Sequence, residues 1–191
     1  MLQYAITSGE GWAAVKHAHR WVHEGVQYVQ LREKQLAAGD LVKLATALRA
    51  ALREAGETKL LVNGRADVAV AAGADGVHLT AQAGELTAEQ VRQVFRMAGA
   101  GKPVISISCH TLDEVKQAIA DRVDLILFGP VFEKRVEGEV VGEGVGLDAL
   151  QEACAAAETT PVLALGGVTW PRAKLCIEAG ASGVAGIRLF G

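Results

Sequence analysis

Short runs of continuous hydrophobicity recur along the chain, at residues 2–7 (LQYAIT), 28–31 (YVQL), 59–63 (KLLVN) and 76–79 (GVHL). They continue at 103–108 (PVISIS), 124–129 (DLILFG), 161–166 (PVLALG) and 183–188 (GVAGIR). Unbroken apolar runs of this length read as strands covered on both faces. Between them lie amphipathic stretches. In 10–24, Trp12, Val15, Ala18 and Val22 recur at helical spacing. Similar patterns run through 40–55, 87–97, 111–119, 147–157 and 170–179, while 65–73 leaves room only for a short helix. Asp40 and Thr87 stand where N-caps are expected, Pro171 sits in a first turn, and the glycines ending 71–73 and 178–180 are stop signals.

Eight buried strands alternating with helices predict a parallel sheet covered by helices, and eight such units closing on themselves form a (β/α)8 TIM barrel. An open doubly wound sheet is the alternative, disfavoured because no Gly-rich turn follows the first strand. At 191 residues the chain is expected to be one compact domain spanning 1–191. It runs only three residues past the eighth predicted strand, so the last helix is expected to be truncated. Composition agrees: the chain is 50% hydrophobic but only 5% aromatic, so Ala, Val and Leu must build the core.

A formal net charge of −3 argues against nucleic acid or an anionic membrane surface as partner. No apolar stretch approaches a membrane span of about 20 residues, and the N-terminus does not read as a signal peptide. Cys109, Cys154 and Cys176 are scattered and odd in number, as expected of reduced thiols in a cytoplasmic protein. The expected partner is a small phosphorylated molecule, with homo-oligomerisation left open.

In a barrel of this kind, chemistry sits at the C-terminal ends of the strands. Gln30, Arg32 and Lys34 alternate there after the second strand, so an extended chain would point an amide and two cations to one side. Asn63 closes the third strand, Ser108 the fifth, and His110 follows as the best-placed titratable group for proton transfer. Gly166 and Gly167, after the seventh strand, allow the backbone to approach a phosphate. Thr169 could cap the helix beyond them, and Arg188 at the end of the eighth strand could add a bidentate contact. His78 reads as structural, and Glu33 as facing the outer layer or a partner subunit. Glu133 reads as a mobile surface carboxylate. His17, His19 and His23 read as a solvated helix face, not a metal site. The charged, glycine-rich segment 133–146 reads as an irregular lid.

Seven motifs in order, VQLREK (29–34), LLVN (60–63), AAGADGVHL (71–79), SISCHTLDEV (106–115), FGPVF (128–132), LALGGVT (163–169) and AGASGVAGIRLF (179–190), resemble the thiamine-phosphate synthase and thiazole tautomerase (TenI-like) superfamily. In the synthases a magnesium-bound pyrophosphate leaves a pyrimidine, and the nitrogen of a thiazole phosphate captures the resulting carbocation. The resemblance implies that Gln30, Arg32, Lys34 and Asn63 serve the pyrophosphate–pyrimidine end, Ser108 the middle, and Gly167 the thiazole phosphate.

The chain departs from the synthase pattern at charged positions. Gly64 and Ala83 stand where the family's magnesium carboxylates are expected, and Glu133-Lys134-Arg135 where a Thr-x-Thr-Lys segment grips pyrophosphate. These losses favour a metal-independent tautomerase, moving a proton on a thiazole phosphate without a cofactor, although Pro130 replaces that branch's histidine. The alternatives are a divergent synthase using magnesium and a catalytically silent phosphate-ligand binder.

Overall fold

The computed structural model describes residues 1–80, 84–136 and 139–191, and for 134–136 and 139–141 the backbone alone. The strands are β1 (Leu2–Ile6), β2 (Tyr28–Leu31), β3 (Lys59–Asn63), β4 (Gly76–Thr80), β5 (Val104–Cys109) and β6 (Leu125–Phe128). They continue with β7 (Lys134–Val136), β8 (Glu139–Gly142), β9 (Val162–Leu165) and β10 (Gly183–Gly186). The helices are α1 (Ala13–His23), α2 (Ala38–Ala55), α3 (Ala66–Ala71), α4 (Ala88–Met97), α5 (Leu112–Ala120), α6 (Gly146–Ala156) and α7 (Trp170–Glu178).

Eight parallel strands close in the order β1-β10-β9-β6-β5-β4-β3-β2, the barrel expected from the eight apolar runs. Each predicted strand and helix has its counterpart within a few residues. No eighth helix follows β10 among the described residues. Instead the C-terminal turn folds back against α1: Trp21 Nε1 and Arg20 Nη2 both donate to the Phe190 carbonyl, at 2.9 and 2.8 Å, and the Phe190 ring meets Trp170 edge-on.

Three local expectations are corrected. Asp40 does not cap α2. The helix starts at Ala38, and Asp40 lies in its first turn paired with Lys43 at 3.0 Å. Thr169 makes no side-chain cap on α7, although Pro171 does sit in the first turn. The segment 133–146 is not simply irregular, because β7 and β8 pair as an antiparallel ribbon within it. Glu137 and Gly138, also part of that expected lid, lie outside the described residues. Thr87 behaves as its sequence context demands, closing a capping box with Gln90, and Thr111 does the same with Glu114.

The register sorts side chains into two layers. Outward residues such as Val29, Leu60, Val62, Val77, Ile105, Ile126 and Val162 pack against the helices in one continuous core. Inward residues meet in the register Gln30↔Leu61, Asn63↔His78, His78↔Ser106, Ser106↔Leu125 and Leu127↔Leu163. Aspartates tie the N-terminal end of the barrel. Asp75 accepts the Leu60 N–H at 2.7 Å and pairs with Arg49, and Asp124 accepts the Ile105 N–H at 2.8 Å. This places Asp75 at the end away from the expected chemistry, as its position before the fourth strand predicts.

Candidate active site

The inward face of β2 to β5 is polar. Gln30, only 2% exposed, donates its amide to Asn63 Oδ1 at 3.1 Å, so two expected site residues from adjacent strands hold each other. His78 sits one strand further, buried, with Nδ1 2.9 Å from Ser106 Oγ and Nε2 3.0 Å from Ser108 Oγ. Tyr4 reaches across from β1 to Ser106 at 2.9 Å. Burial, and then the charge of Arg32, push the His78 imidazole down to about 3, so the ring is neutral at neutral pH. The structural reading of His78 is consistent with these bonds, and they tie it directly to Ser108.

At the rim, β2 ends at Leu31, so Arg32 and Lys34 leave the strand before their alternation is complete. The Arg32 N–H donates to the buried Thr7 hydroxyl at 2.9 Å, and Lys34 turns outward into an exposed bend. Lys34 lines a cleft with Asn63, Gly64, Arg65 and Glu85. Glu33, expected to face outward, is instead 6% exposed. Its carboxylate accepts the Gly9 and Gly11 N–H groups at 3.2 and 3.1 Å, drawing the β1–α1 loop down onto β2. Asp67 is held by Arg65 in a bidentate pair at 2.6 and 2.8 Å, which keeps its carboxyl below the usual range.

His110 stands at the start of α5, exposed. Its backbone N–H donates to Glu114, and its Nδ1–H donates to the Gly129 carbonyl at the end of β6. Because a carbonyl only accepts, Nε2 is left as the basic nitrogen of the neutral ring. Cys109 beside it is buried, and that burial pushes its thiol up to about 12, removing it as a nucleophile.

Gly166 and Gly167, at φ of +91° and +64°, accommodate a close approach from the neighbouring loop. A Cβ on Gly166 would lie 2.5 Å from Pro130, and one on Gly167 would lie 2.8 Å from the Glu133 carbonyl. The pair therefore serves loop packing as well as any anion. Arg172, which the sequence reading passed over, donates to the Gly167 carbonyl at 3.1 Å and stacks over Phe132 at 4.7 Å. Arg188 lies in an exposed turn two residues beyond β10, past the strand end where it was expected.

The resemblance implies magnesium, so the donor set must be tested. Positions 81–83 lie outside the described residues, and Ala83 carries no side-chain oxygen. At Gly64, however, a Cβ would lie 3.5 Å from Glu85 Oε2. The Glu85 carboxylate thus occupies space into which an aspartate at position 64 would project. One carboxylate beside the Asn63 amide suits a magnesium ion that takes further oxygens from a phosphorylated substrate. The residues fit. Glu85 is distant from Gly64 in the sequence and meets it only in the folded barrel.

Comparison with known proteins bears on the family and the fold. The family model described as thiamine monophosphate synthase matches residues 3–190. The thiamine-phosphate synthase of Moorella thermoacetica is 37% identical over 161 residues, covering 84% of this chain and 72% of that protein. That of Methanoculleus marisnigri is 35% identical over 179 residues, covering 94% and 81%. The solved thiamine phosphate pyrophosphorylase of Pyrococcus furiosus superposes with a TM-score of 0.79 at 25% identity, over 97% of this chain and 85% of that one. These relatives bear the names of transferases, against the isomerase that the missing carboxylates favoured. The chain belongs to the thiamine monophosphate synthase family, within the thiamine-phosphate synthase and TenI-like superfamily.

Proposed function

We propose that the whole chain is one catalytic domain that joins a pyrimidine carrying a pyrophosphate leaving group to a thiazole phosphate. The observation that supports this reading is Glu85, whose carboxylate reaches the space beside Gly64, where the sequence lacks one of the two expected carboxylates. Arg32 and Lys34 bind and neutralise the leaving pyrophosphate at the rim of β2. The Gln30–Asn63 amide pair and Ser108 orient the pyrimidine. Gly167, with Arg172 bracing its carbonyl, holds the thiazole-phosphate end. The C–O bond breaks with its electron pair leaving on pyrophosphate, and the thiazole nitrogen supplies the pair for the new C–N bond. Glu85 and Asn63, together with substrate oxygens, would hold a magnesium ion, which when bound would supply charge neutralisation for that leaving group.

The test is calorimetric titration with inorganic pyrophosphate, with and without magnesium, alongside a pyrophosphate-release assay. Binding that needs magnesium, and that Glu85→Gln weakens at least tenfold, is the expected result. Equal binding without magnesium, and no release, would overturn the synthase reading and leave a silent binder.

One observation favours tautomerase as a second reading. His110 brings an imidazole to the Gly129 carbonyl, next to the Pro130 that replaces the tautomerase histidine. Metal-independent solvent-proton exchange into a carboxylated thiazole phosphate, lost in His110→Ala, would move the assignment there.

A further inference from the structure

Tyr4, His78 and Ser106 are 0%, 3% and 0% exposed, so their polar hydrogens must find partners inside the barrel. The contacts form one chain: Tyr4 Oη to Ser106 Oγ at 2.9 Å, Ser106 Oγ to His78 Nδ1 at 2.9 Å, and His78 Nε2 to Ser108 Oγ at 3.0 Å. Tyr4 Oη also lies 3.4 Å from His78 Nδ1. Among the described residues, Ser106 and His78 are the phenol's only hydrogen-bond partners.

The chain could run in either of two directions. If Nδ1 carried the proton, it would donate to Ser106 or Tyr4, and one of the two hydroxyl protons, that of Tyr4 or that of Ser106, would be left without a partner in this cluster. A buried donor left unmade costs its full desolvation. In the other direction Tyr4 donates to Ser106 and Ser106 donates to a bare Nδ1. The Nε2–H then donates to Ser108, and every buried hydrogen has a partner.

We infer that Tyr4 sets the direction of this chain and thereby makes Ser108 a hydrogen-bond donor toward the ligand, so that the ligand group seated beside Ser108 is an acceptor, such as an unprotonated ring nitrogen or an anionic oxygen. The Ser108 oxygen accepts from His78, so its own proton is not spent on the ring and is the hydrogen it can offer a ligand. Tyr4 and His78 act through Ser108 and are positioning residues. His78 stays neutral across the physiological range because of its burial, so the direction does not reverse with pH there. The inference rests on reading this end of the barrel as the ligand site, but not on which reaction occurs there.

The test is the imidazole 15N spectrum of histidine-labelled protein, with His78 among the five histidines assigned by its loss in His78→Gln. The expected result is a single His78 tautomer protonated on Nε2, becoming a mixture in Tyr4→Phe. A His78 proton on Nδ1 in the wild-type protein overturns the inference, whatever the activity. In turnover assays Tyr4→Phe is expected to raise KM for the pyrimidine pyrophosphate about 3- to 10-fold, the size of one hydrogen bond, with Ser108→Thr retaining function and Ser108→Ala not. Absence of turnover with the Nε2–H tautomer intact would sink the synthase reading alone. A Tyr4→Phe variant with unchanged KM and an unchanged tautomer would sink this one.

Discussion

The two arcs of the barrel interior share one backbone and differ in almost everything else. From β6 through β9 and β10 to β1 the inward residues are Leu125, Leu127, Leu163, Ala185, Ile6 and Tyr4, an apolar cluster except for the Tyr4 hydroxyl, which reaches into the other arc. From β2 to β5 they are mostly polar, Gln30, Asn63, His78, Ser106 and Ser108, with Leu61 among them. The parallel ladder satisfies backbone N–H and C=O groups equally in both arcs, so inward side chains are free to vary without opening the sheet. The arcs differ in what each substitution must satisfy. In the apolar arc the requirement is volume. In the polar arc each atom needs a partner, which couples residues on different strands. The apolar arc therefore supplies stability, and the polar arc is the face the proposed ligand would meet.

That division can be attacked directly. Leu127→Ala empties fully buried volume in the apolar arc. It should cost roughly 2–5 kcal/mol, lowering Tm by about 2–4 °C for each kcal/mol, with pyrophosphate binding preserved. A Tm unchanged within error would mean that the arc carries no more stability than the polar one.

The polar arc should show itself as a pH dependence. His78 has a folded pKa of about 3, below the ordinary imidazole value of about 6.5, so between these the unfolded chain binds more protons than the folded one. Its stabilising contribution is complete above about pH 6.5 and is lost as pH falls toward 3. From pH 6.5 to 5 the loss is about 2 kcal/mol, read from urea unfolding at both values, and His78→Gln should flatten it. Equal slopes in the two proteins would show that His78 is not buried neutral.

Asp75→Asn tests the far end. It weakens the tie among Asp75, Arg49 and Leu60, costing about 1 kcal/mol in urea unfolding. Ligand affinity should not change, because the tie lies at the N-terminal ends of the strands. Lys34→Ala is the mirror case. The side chain is exposed, so stability should shift by less than about 0.5 kcal/mol while pyrophosphate binding weakens about tenfold in calorimetry. If Asp75→Asn weakened binding as much as Lys34→Ala does, the separation of the barrel's two ends would fail.

Much of this was legible in the residues. Strand positions followed from unbroken apolar runs, and the cap at Thr87 followed from its place before an amphipathic stretch, whereas the equivalent box at Thr111 was passed over. The pairing of Gln30 with Asn63 was half legible: both were expected at strand ends, but the 3.1 Å bond depends on barrel register. Glu33 was misjudged because strict alternation assumed a strand that continues, whereas β2 ends at Leu31 and the carboxylate turns toward the glycine-rich loop after β1. The β7–β8 ribbon was missed because short, charged, glycine-containing strands lack the apolar pattern that marks the others.

Hydrophobic periodicity by itself determined the alternation of strands and helices and hence the barrel, since each run must bury a face and few arrangements bury eight of them at once. Position along each strand determined which residues reach the C-terminal rim. Only the tertiary structure decided which of those residues act together. Glu85 meets the space over Gly64, Tyr4 reaches His78 through Ser106, and Arg172 stacks over Phe132, all between residues well separated in the chain. The physical reason is that burial is a property of each segment, readable locally. A hydrogen bond or a shared ligand needs two groups within about 3 Å, a distance set by closure and register.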